Sequence, residues 1–426
     1  MFKVIETFSG IGSQAQALKN IGADHSVVAT VEWEIAAIYA YDIIHNGPQN
    51  LKEYRHHTKQ SLVEEISKYN ISNDGKSPIS TRGINQMSMV HLKAILAAIE
   101  RSHNLVDITQ VNAENLPVAD LLTYSFPCQD LSISGNWHKN VGGIDRNADN
   151  RSTLLWQIER ILIELENSNK PLPKFLLMEN VSNILSNKHI KNFNEWCSFL
   201  EELGYINQIY TLDARAFGIP QSRVRTFMVS VLATDYEKVA EIQNYFDMNN
   251  LEDFQIDTSK MTPLKDYLRL DYSDQVYRKE AIESTPHLTD SRRKICELNK
   301  QLARGSYEIL SSFARTVTTK QDRHPNSGIV LYDEILTDIN SKYRNLTPRE
   351  CFLLMGFDEE VFDLLINNNI KVSANKQMLT KSKLIKLAGN SIVVQVLEEV
   401  FKQILEIDNK ILKKHQNKYE EEIEVV

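Results

Sequence analysis

Six short apolar runs, Lys3 to Phe8, Val27 to Val31, Ala119 to Tyr124, Lys174 to Met178, Tyr205 to Ala214 and Thr226 to Val231, recur with longer helix-like stretches between them. Runs of this length and composition suit strands buried on both faces. Their alternation with helices describes an α/β fold with a doubly wound, mostly parallel sheet. Such sheets take their ligands outside the carboxyl ends of the strands. The residues that follow each run are therefore where chemistry is expected.

After the first run comes Gly10-Ile11-Gly12-Ser13-Gln14-Ala15, a tight turn opening a helix that reaches a glycine cap at Gly22. The spacing fits the G-x-G-x-x-G/A nucleotide fingerprint, whose glycines let a ligand approach the backbone. The second run ends at Glu32-Trp33, a carboxylate for ribose hydroxyls and an aromatic face for adenine. A nicotinamide dinucleotide satisfies this pattern as well as S-adenosylmethionine does. The third run ends in Ser125-Phe126-Pro127-Cys128-Gln129, a lone thiol just past a strand, and the fourth leads into Glu179-Asn180-Val181. A thiol and an acid on adjacent strand ends suit nucleophilic addition with proton donation. Arg223 and Arg225 stand at i and i+2 of an extended segment, on one side of it.

Composition narrows the class. The four cysteines, Cys128, Cys197, Cys296 and Cys351, show no CxxC spacing, so neither a zinc site nor a disulfide framework is expected, and no metal is assigned. No stretch approaches the ~20 apolar residues of a membrane span, and the first residues lack a signal peptide's pattern, so a cytoplasmic protein without membrane contact is expected. The net charge is −8, but Ser291 to Arg349 holds eleven Lys and Arg against six Asp and Glu, which leaves −13 for the remainder. A polyanion is therefore expected to meet this region and the arginines near Arg223.

Six stretches in order resemble the blocks of the C5 DNA cytosine methyltransferases of the bacterial restriction–modification type. They are Phe8-Ser9-Gly10-Ile11-Gly12, Ser125-Phe126-Pro127-Cys128-Gln129, Glu179-Asn180-Val181, Gln221-Ser222-Arg223-Val224-Arg225, Arg344-Asn345-Leu346-Thr347-Pro348-Arg349-Glu350-Cys351 and Gly389-Asn390-Ser391. The match covers nearly everything from Met1 to about Phe401 except Asn46 to Val106 and Thr234 to Ser341. It implies a Rossmann-like methyltransferase fold with a smaller, irregular target-recognition domain. The reaction implied is methyl transfer from S-adenosyl-L-methionine to carbon 5 of a cytosine flipped out of a short, specific double-stranded DNA sequence. By the same resemblance Cys128 is the nucleophile, Glu179 acts at ring nitrogen 3, Asn180 orients the acid's strand end, and Arg223 and Arg225 face a phosphate and the cytosine carbonyl oxygen. The cofactor would be held by Phe8, Gly10, Ile11, Gly12, Glu32, Trp33, Asp107, Ile108, Pro127, Leu154, Asn390 and Ser391, with Asp107 meeting the adenine amino group. Many relatives have Gly where Ser152 stands, a mild departure that leaves Leu154 available to the cofactor.

The expected domains are 1–233, catalytic and cofactor-binding with an insertion at 46–106; 234–341, target recognition; and 342–426, a return to the catalytic unit with a terminal helix. The insertion is assigned no chemistry. The polar stretch Leu131 to Asn150, with Gly142-Gly143 as hinges, reads as a lid over substrate, served by Gln129, Ser132 and Ser134 at the DNA. Ser311 to His324 alternates like a strand and carries Arg315, Lys320 and Arg323, candidates for groove contact. Val393, Leu397, Val400, Ile404, Ile407 and Ile411 form a stripe expected to pack a helix on the body. A cognate restriction endonuclease is the companion of such a modification enzyme, though no stable protein partner is required and a monomer is expected. Three rivals stand beside this reading: an RNA cytosine methyltransferase, a thymidylate-synthase-type enzyme and a catalytically silent DNA-binding regulator. The first fits the long basic segment less well, the second lacks the glycine-rich entry, and the third gives no reason to retain Cys128, Glu179, Arg223 and Arg225 together.

Overall fold

A computed structural model describes residues 1–128, 131, 143–146, 148, 151–233, 235–257, 259, 261–332 and 342–414. All six apolar runs form one sheet: β1 (Phe2–Thr7), β2 (His25–Val31), β3 (Leu121–Tyr124), β4 (Phe175–Val181), β5 (Tyr205–Asp213) and, after the short β6 (Gln221–Ser222), β7 (Val224–Leu232). Its order is β2-β1-β3-β4-β7-β5. β1 pairs in parallel with both β2 and β3, and β3 with β4, whereas β7 runs antiparallel to β4 and β5. The chain turns back at β7 because only residues 214–223 separate it from β5, too few for the helical crossover that a parallel neighbour requires. β1 lies between β2 and β3, so successive connections leave it in opposite directions and open a crevice at the carboxyl ends.

Helices cover both faces. The helix Ile35–Asn46, apolar but for Asp42 and its last two residues, buries Ile35 through Ile44, and Leu155–Asn167 turns Leu155, Ile158, Ile161 and Leu162 inward. The stripe on Val394–Ile407 is buried, and the helix is tied to its neighbours by Asn20 Nδ2 donating to Glu398 Oε1 (2.7 Å) and Tyr210 Oη to Gln403 Oε1 (2.9 Å).

Beyond β7 the chain makes three helices, Tyr236–Met248, Gln275–Glu283 and Asp290–Leu298, and a four-stranded sheet of Gln301–Arg304, Glu308–Ile309, Ile329–Leu331 and Tyr343–Asn345. Tyr343–Asn345 thus pairs with Ile329–Leu331, across the expected 341/342 boundary. The strand expected through Ser311 to His324 shrinks to Ala314–Arg315, which pairs with β6; past it, Gln321 and Arg323 close tight turns onto the carbonyls of Thr318 and Lys320. The local alternation loses to these turns.

The basic excess of this region is also partly internal. Arg344 is fully buried, held by both oxygens of Glu350 at 2.7 and 2.8 Å and by Tyr272. Arg349 pairs with Glu280, Glu359 and Asp363. Both guanidiniums are buried against acids; Arg344 braces the turn at Thr347, whose side chain and Glu350 form a capping box, and Arg349 ties that helix to Glu280 and Glu359.

Candidate active site

At the carboxyl ends of β1, β3 and β4 lies a cavity of ≈ 430 Å³. Its floor is the turn after β1, where Phe8 (φ 56°), Gly10 (φ 56°) and Gly12 (φ 77°) are all left-handed. A Cβ on Gly12 would lie 2.1 Å from His45 Nε2 and 2.6 Å from Tyr41 Cε2, so only glycine fits. Burial pushes His45 down to about 4, and its Nε2–H donates to the Ile11 carbonyl at 2.9 Å. Gly12 itself stands behind the turn, while Phe8, Gly10 and Ile11 line the cavity.

Glu32 enters from the end of β2. Its carboxylate accepts from Gly10 N at 3.1 Å and from Glu34 N at 2.8 Å, and burial raises the carboxyl to about 7. Trp33, Asp107, Ile108, Leu154, Asn390 and Ser391 complete this end of the cavity with Pro127.

The other end holds the reactive groups. Cys128 follows β3 in a loop fastened at two carbonyls: Asn180 Nδ2 donates to Phe126 O (3.1 Å) and Ser152 Oγ to Pro127 O (2.8 Å). A hydroxyl at position 152 thus has a definite use, holding the residue beside the thiol. Burial pushes the Cys128 thiol up; Arg225 and Arg223 pull it down and Glu179 opposes them. Glu179 lies within β4, opposite Phe227 of β7, and burial likewise holds its carboxyl above the usual range against the two arginines. Arg225, opposite Val181, brings Nε to 3.4 Å from Glu179 Oε1.

Both arginines line the cavity, but with different commitments. Arg223, 4 % exposed, donates to the carbonyls of Val317 (2.9 Å), Gly389 (3.2 Å) and Ser391 (2.7 Å). It therefore joins the catalytic sheet, the recognition region and the segment after the helix Lys381–Asn390. Its Nε has no hydrogen-bond partner among the described residues, and burial pushes its pKa down to about 9.

Against a model of the C-5 cytosine-specific DNA methylases the chain matches over residues 87–406. It belongs to this family of DNA methyltransferases. Among its relatives, the orphan methyltransferase M.SssI of Spiroplasma monobiae is 32% identical over 413 residues, covering 94% of this chain and 97% of that protein. The type II methyltransferase M2.ScrFI of Lactococcus lactis subsp. cremoris is 33% identical over 413 residues, covering 95% and 99%. The crystal structure of the S. pombe Dnmt2 methyltransferase shares the fold at 17% identity, with a TM-score of 0.58 over 95% of this chain and 99% of that one.

In this methyltransferase the cavity gathers every candidate catalytic residue and every candidate cofactor residue except Gly12. It also gathers residues that sequence reasoning passed over: Asn70 and Gly75 of the insertion, Arg151 and Lys386. No motif spacing announces them, because each arrives through a contact distant in sequence. Arg315 and Lys320 are exposed, as is Arg323, with Nε 3.5 Å from Asp322 Oδ1. All three lie away from the cavity lining, and Arg315 borders a separate open concavity with Lys294, Asn299 and His324. Gln129, Ser132, Ser134 and Gly142 fall outside the described residues; Gly143 is left-handed at φ 55°. Among the described residues, no group of three His, Cys, Asp or Glu could hold a metal, and no helix is long and apolar enough to cross a membrane.

Proposed function

We propose that this DNA methyltransferase takes its methyl group from S-adenosylmethionine and works through a covalent bond between Cys128 and cytosine carbon 6. The observation that carries the reading is the convergence of Cys128, Glu179, Arg223 and Arg225 at one end of a cavity whose other end is lined by Glu32, Trp33 and Asp107. The donor set favours S-adenosylmethionine over a dinucleotide. Gly10 N–H, the kind of backbone donor a pyrophosphate needs, is occupied by the Glu32 carboxylate, which would repel phosphate but accepts ribose hydroxyls. This arrangement suits a nucleoside without phosphates better than a dinucleotide. When bound, the cofactor supplies an electrophilic sulfonium methyl group.

The chain's own residues do the rest. The target cytosine leaves the stack, at a cost of a few kcal/mol that protein contacts must offset. Cys128, raised by burial, rests as a thiol; as its proton leaves, the arginines stabilise the thiolate that adds to carbon 6. Glu179, raised by burial, is the group placed to share a proton with ring nitrogen 3; as the sulfur's electron pair bonds to carbon 6, the carbon 5–carbon 6 π pair is displaced toward carbon 5 and the ring becomes an enamine. Carbon 5 takes the methyl group, a base removes its proton, and the electrons of that bond expel the Cys128 sulfur. Arg225, bound among the described residues to Glu179 and its neighbour's carbonyl, is the arginine for the cytosine oxygen, and Arg223 contributes its Nε–H, which has no partner among the described residues.

Specificity is assigned to 234–341, where Arg315, Lys320 and Arg323 are exposed. One relative is a type II enzyme and another an orphan, so a modification role beside a restriction endonuclease fits the family, but nothing in the chemistry requires it. The test is adduct formation with duplex DNA carrying 5-fluorocytosine, in which fluorine at carbon 5 blocks release. A covalent complex should form with S-adenosylmethionine and map to Cys128, and Cys128→Ala should bind DNA without forming it. An adduct at Cys197, Cys296 or Cys351, or methylation by the alanine variant, would refute the mechanism.

A further inference from the structure

The insertion between Asn46 and Val106 carries no block of the family, yet it builds part of the cavity wall. Its segment 70–78 lies along the end of β2, with Ser72 N donating to Trp33 O at 2.7 Å and Ile35 N to Ser72 O at 2.9 Å. Lys386 fastens this segment from the other side, Nζ donating to Glu34 Oε2 (2.6 Å) and to Asp74 O (2.7 Å). Arg151 Nη1 donates to Gly75 O at 2.7 Å.

Two asparagines of the insertion hold the two acidic residues, Asn104 through main-chain atoms and Asn70 at the carboxylate. Asn104, 5 % exposed, accepts at Oδ1 from Glu32 N (3.0 Å) and Val106 N (2.9 Å), and its Nδ2 donates to Glu32 O (2.9 Å). One amide therefore locks the residue bearing the Glu32 carboxylate to the turn that presents Asp107. That turn is strained: Val106 has φ 64°, a region that β-branched residues avoid, and Asp107 N closes on Leu105 O at 2.9 Å. Such strain persists only where surrounding contacts over-determine it, and it clusters at functional sites.

The second asparagine completes the hold. Asn70 Nδ2 donates to Asp107 Oδ2 at 2.8 Å, while Asp107 Oδ1 accepts from Thr109 N and Oγ1 at 3.0 and 2.8 Å. A carboxylate has about four acceptor sites. Three are taken by the protein, which fixes the group's orientation and leaves capacity for one further donor.

We propose that the insertion completes the cofactor site and sets its preference for an aminopurine, Asn104 positioning Glu32 and the Asp107 turn, and Asn70 positioning the Asp107 carboxylate. The proposal rests on the S-adenosylmethionine reading above. It explains why an insertion without chemistry of its own is stitched to β2, to Arg151 and to Lys386 around one cavity.

The test uses calorimetry on the full chain with two ligands, S-adenosylhomocysteine and S-inosylhomocysteine, which differ at purine carbon 6 by an N–H donor against a carbonyl. The parent should prefer the adenosyl ligand about tenfold or more, the range for a site whose polar group is left unpaired by the wrong ligand. Asn70→Ala should narrow that ratio three- to tenfold and leave DNA affinity unchanged. In an Asp107→Ala background it should change the ratio no further, since Asn70 acts through Asp107. Asn104→Asp keeps the acceptor for two buried N–H groups but replaces the donor with a carboxyl oxygen facing the Glu32 carbonyl; it should weaken both ligands three- to tenfold, through Glu32. The proposal is overturned if Asn70→Ala leaves the ratio at the parental value, weakens both ligands equally, or acts as strongly without Asp107. It is equally overturned if Asn104→Asp binds both ligands as the parent does. If the parent binds neither ligand, the cofactor reading itself falls, an outcome distinct from all of these.

Discussion

Replacing Arg223 by methionine keeps most of the side-chain volume and removes the donors that reach Val317, Gly389 and Ser391. Three carbonyls, two of them recorded in fully buried contacts, then lose their partner. An unsatisfied buried polar group costs about 1–3 kcal/mol, which would give roughly 3–9 kcal/mol for three. Two effects reduce this. Water can reach some of the freed groups, and the variant no longer buries a charge, which the depression of the guanidinium to about 9 shows to be unfavourable. A net cost of about 2–5 kcal/mol remains, confined to the junction and not spread over the sheet. Native-state hydrogen exchange reads this directly at the Val317 amide, which donates to Gln221 Oε1 at 2.9 Å in the buried interior. With tenfold per 1.4 kcal/mol, exchange there should accelerate about 30-fold or more, while amides in β1 and β3 stay unchanged. Arg223→Lys should fall between, because one ammonium cannot span acceptors on two segments, and Arg225→Met should leave Val317 exchange as it was. Unchanged protection at Val317 in Arg223→Met would refute the assignment of Arg223 as the tie across the junction.

Glu6 is fully buried in β1 and raised to about 7 by burial, above its unfolded value near 4.5. Its stability contribution is therefore complete below pH 4.5 and lost as pH rises through 7, so Glu6→Gln should be more stable than the parent at pH 8 by about 3 kcal/mol, converging with it toward pH 4.5; urea midpoints across that range that run parallel would refute this. Glu32→Ala should weaken S-adenosylmethionine by about 1–3 kcal/mol. Because the Glu32 carboxyl is raised to about 7, the parent's affinity, measured by calorimetry, should decline as pH falls below 7, and that decline should be absent from the variant. A Cβ at Gly389 would meet Thr319 N at 2.4 Å and Thr318 C at 2.5 Å, backbone atoms that cannot swing aside, so Gly389→Ala should lower thermal stability by about 1–3 kcal/mol. Bisulfite sequencing after Arg323→Ala separates a base reader, whose loss relaxes the methylated motif, from a phosphate contact, whose loss slows methylation at an unchanged motif.

Much of the sheet could be read from the chain because its signals are local. Lys3 to Phe8 and its glycine turn, or Ala119 to Tyr124 and Cys128, are strand and active loop within a dozen residues of one another. The same locality misled at Ser311 to His324, where an alternating pattern yields two residues of strand because turn bonds and the approach of Gly389 take over. Arg344 and Arg349 counted as surface charge, since composition cannot see Glu350, Glu280 or Asp363 folding back onto them. Asn70 and Asn104 stayed silent for a related reason. An asparagine that holds an acidic residue, at its carboxylate or at its main chain, has no periodicity and no fixed spacing, and the left-handed turn at Val106 contradicts its residue type. Arg223 and Arg225 were legible as a pair, but their separation into an arginine held by three carbonyls and one held beside Glu179 depends on where residues 317, 389 and 391 come to rest.

Where residues 314–317 meet β6 and Arg223, the hold is mainly on main-chain atoms. Arg223 grips carbonyls, Thr316 Oγ1 donates to the carbonyl of Ser222, Val317 N and Leu354 O share the Gln221 amide, and Ala314–Arg315 runs beside β6 by ladder bonds. Main-chain acceptors are the same for every amino acid, so the body can hold any strand that enters with this geometry, whatever side chains it carries outward. An exchange of this segment for a foreign one should therefore cut outside Phe313 and Thr319, keeping the strand's path and leaving its outward side chains free to vary.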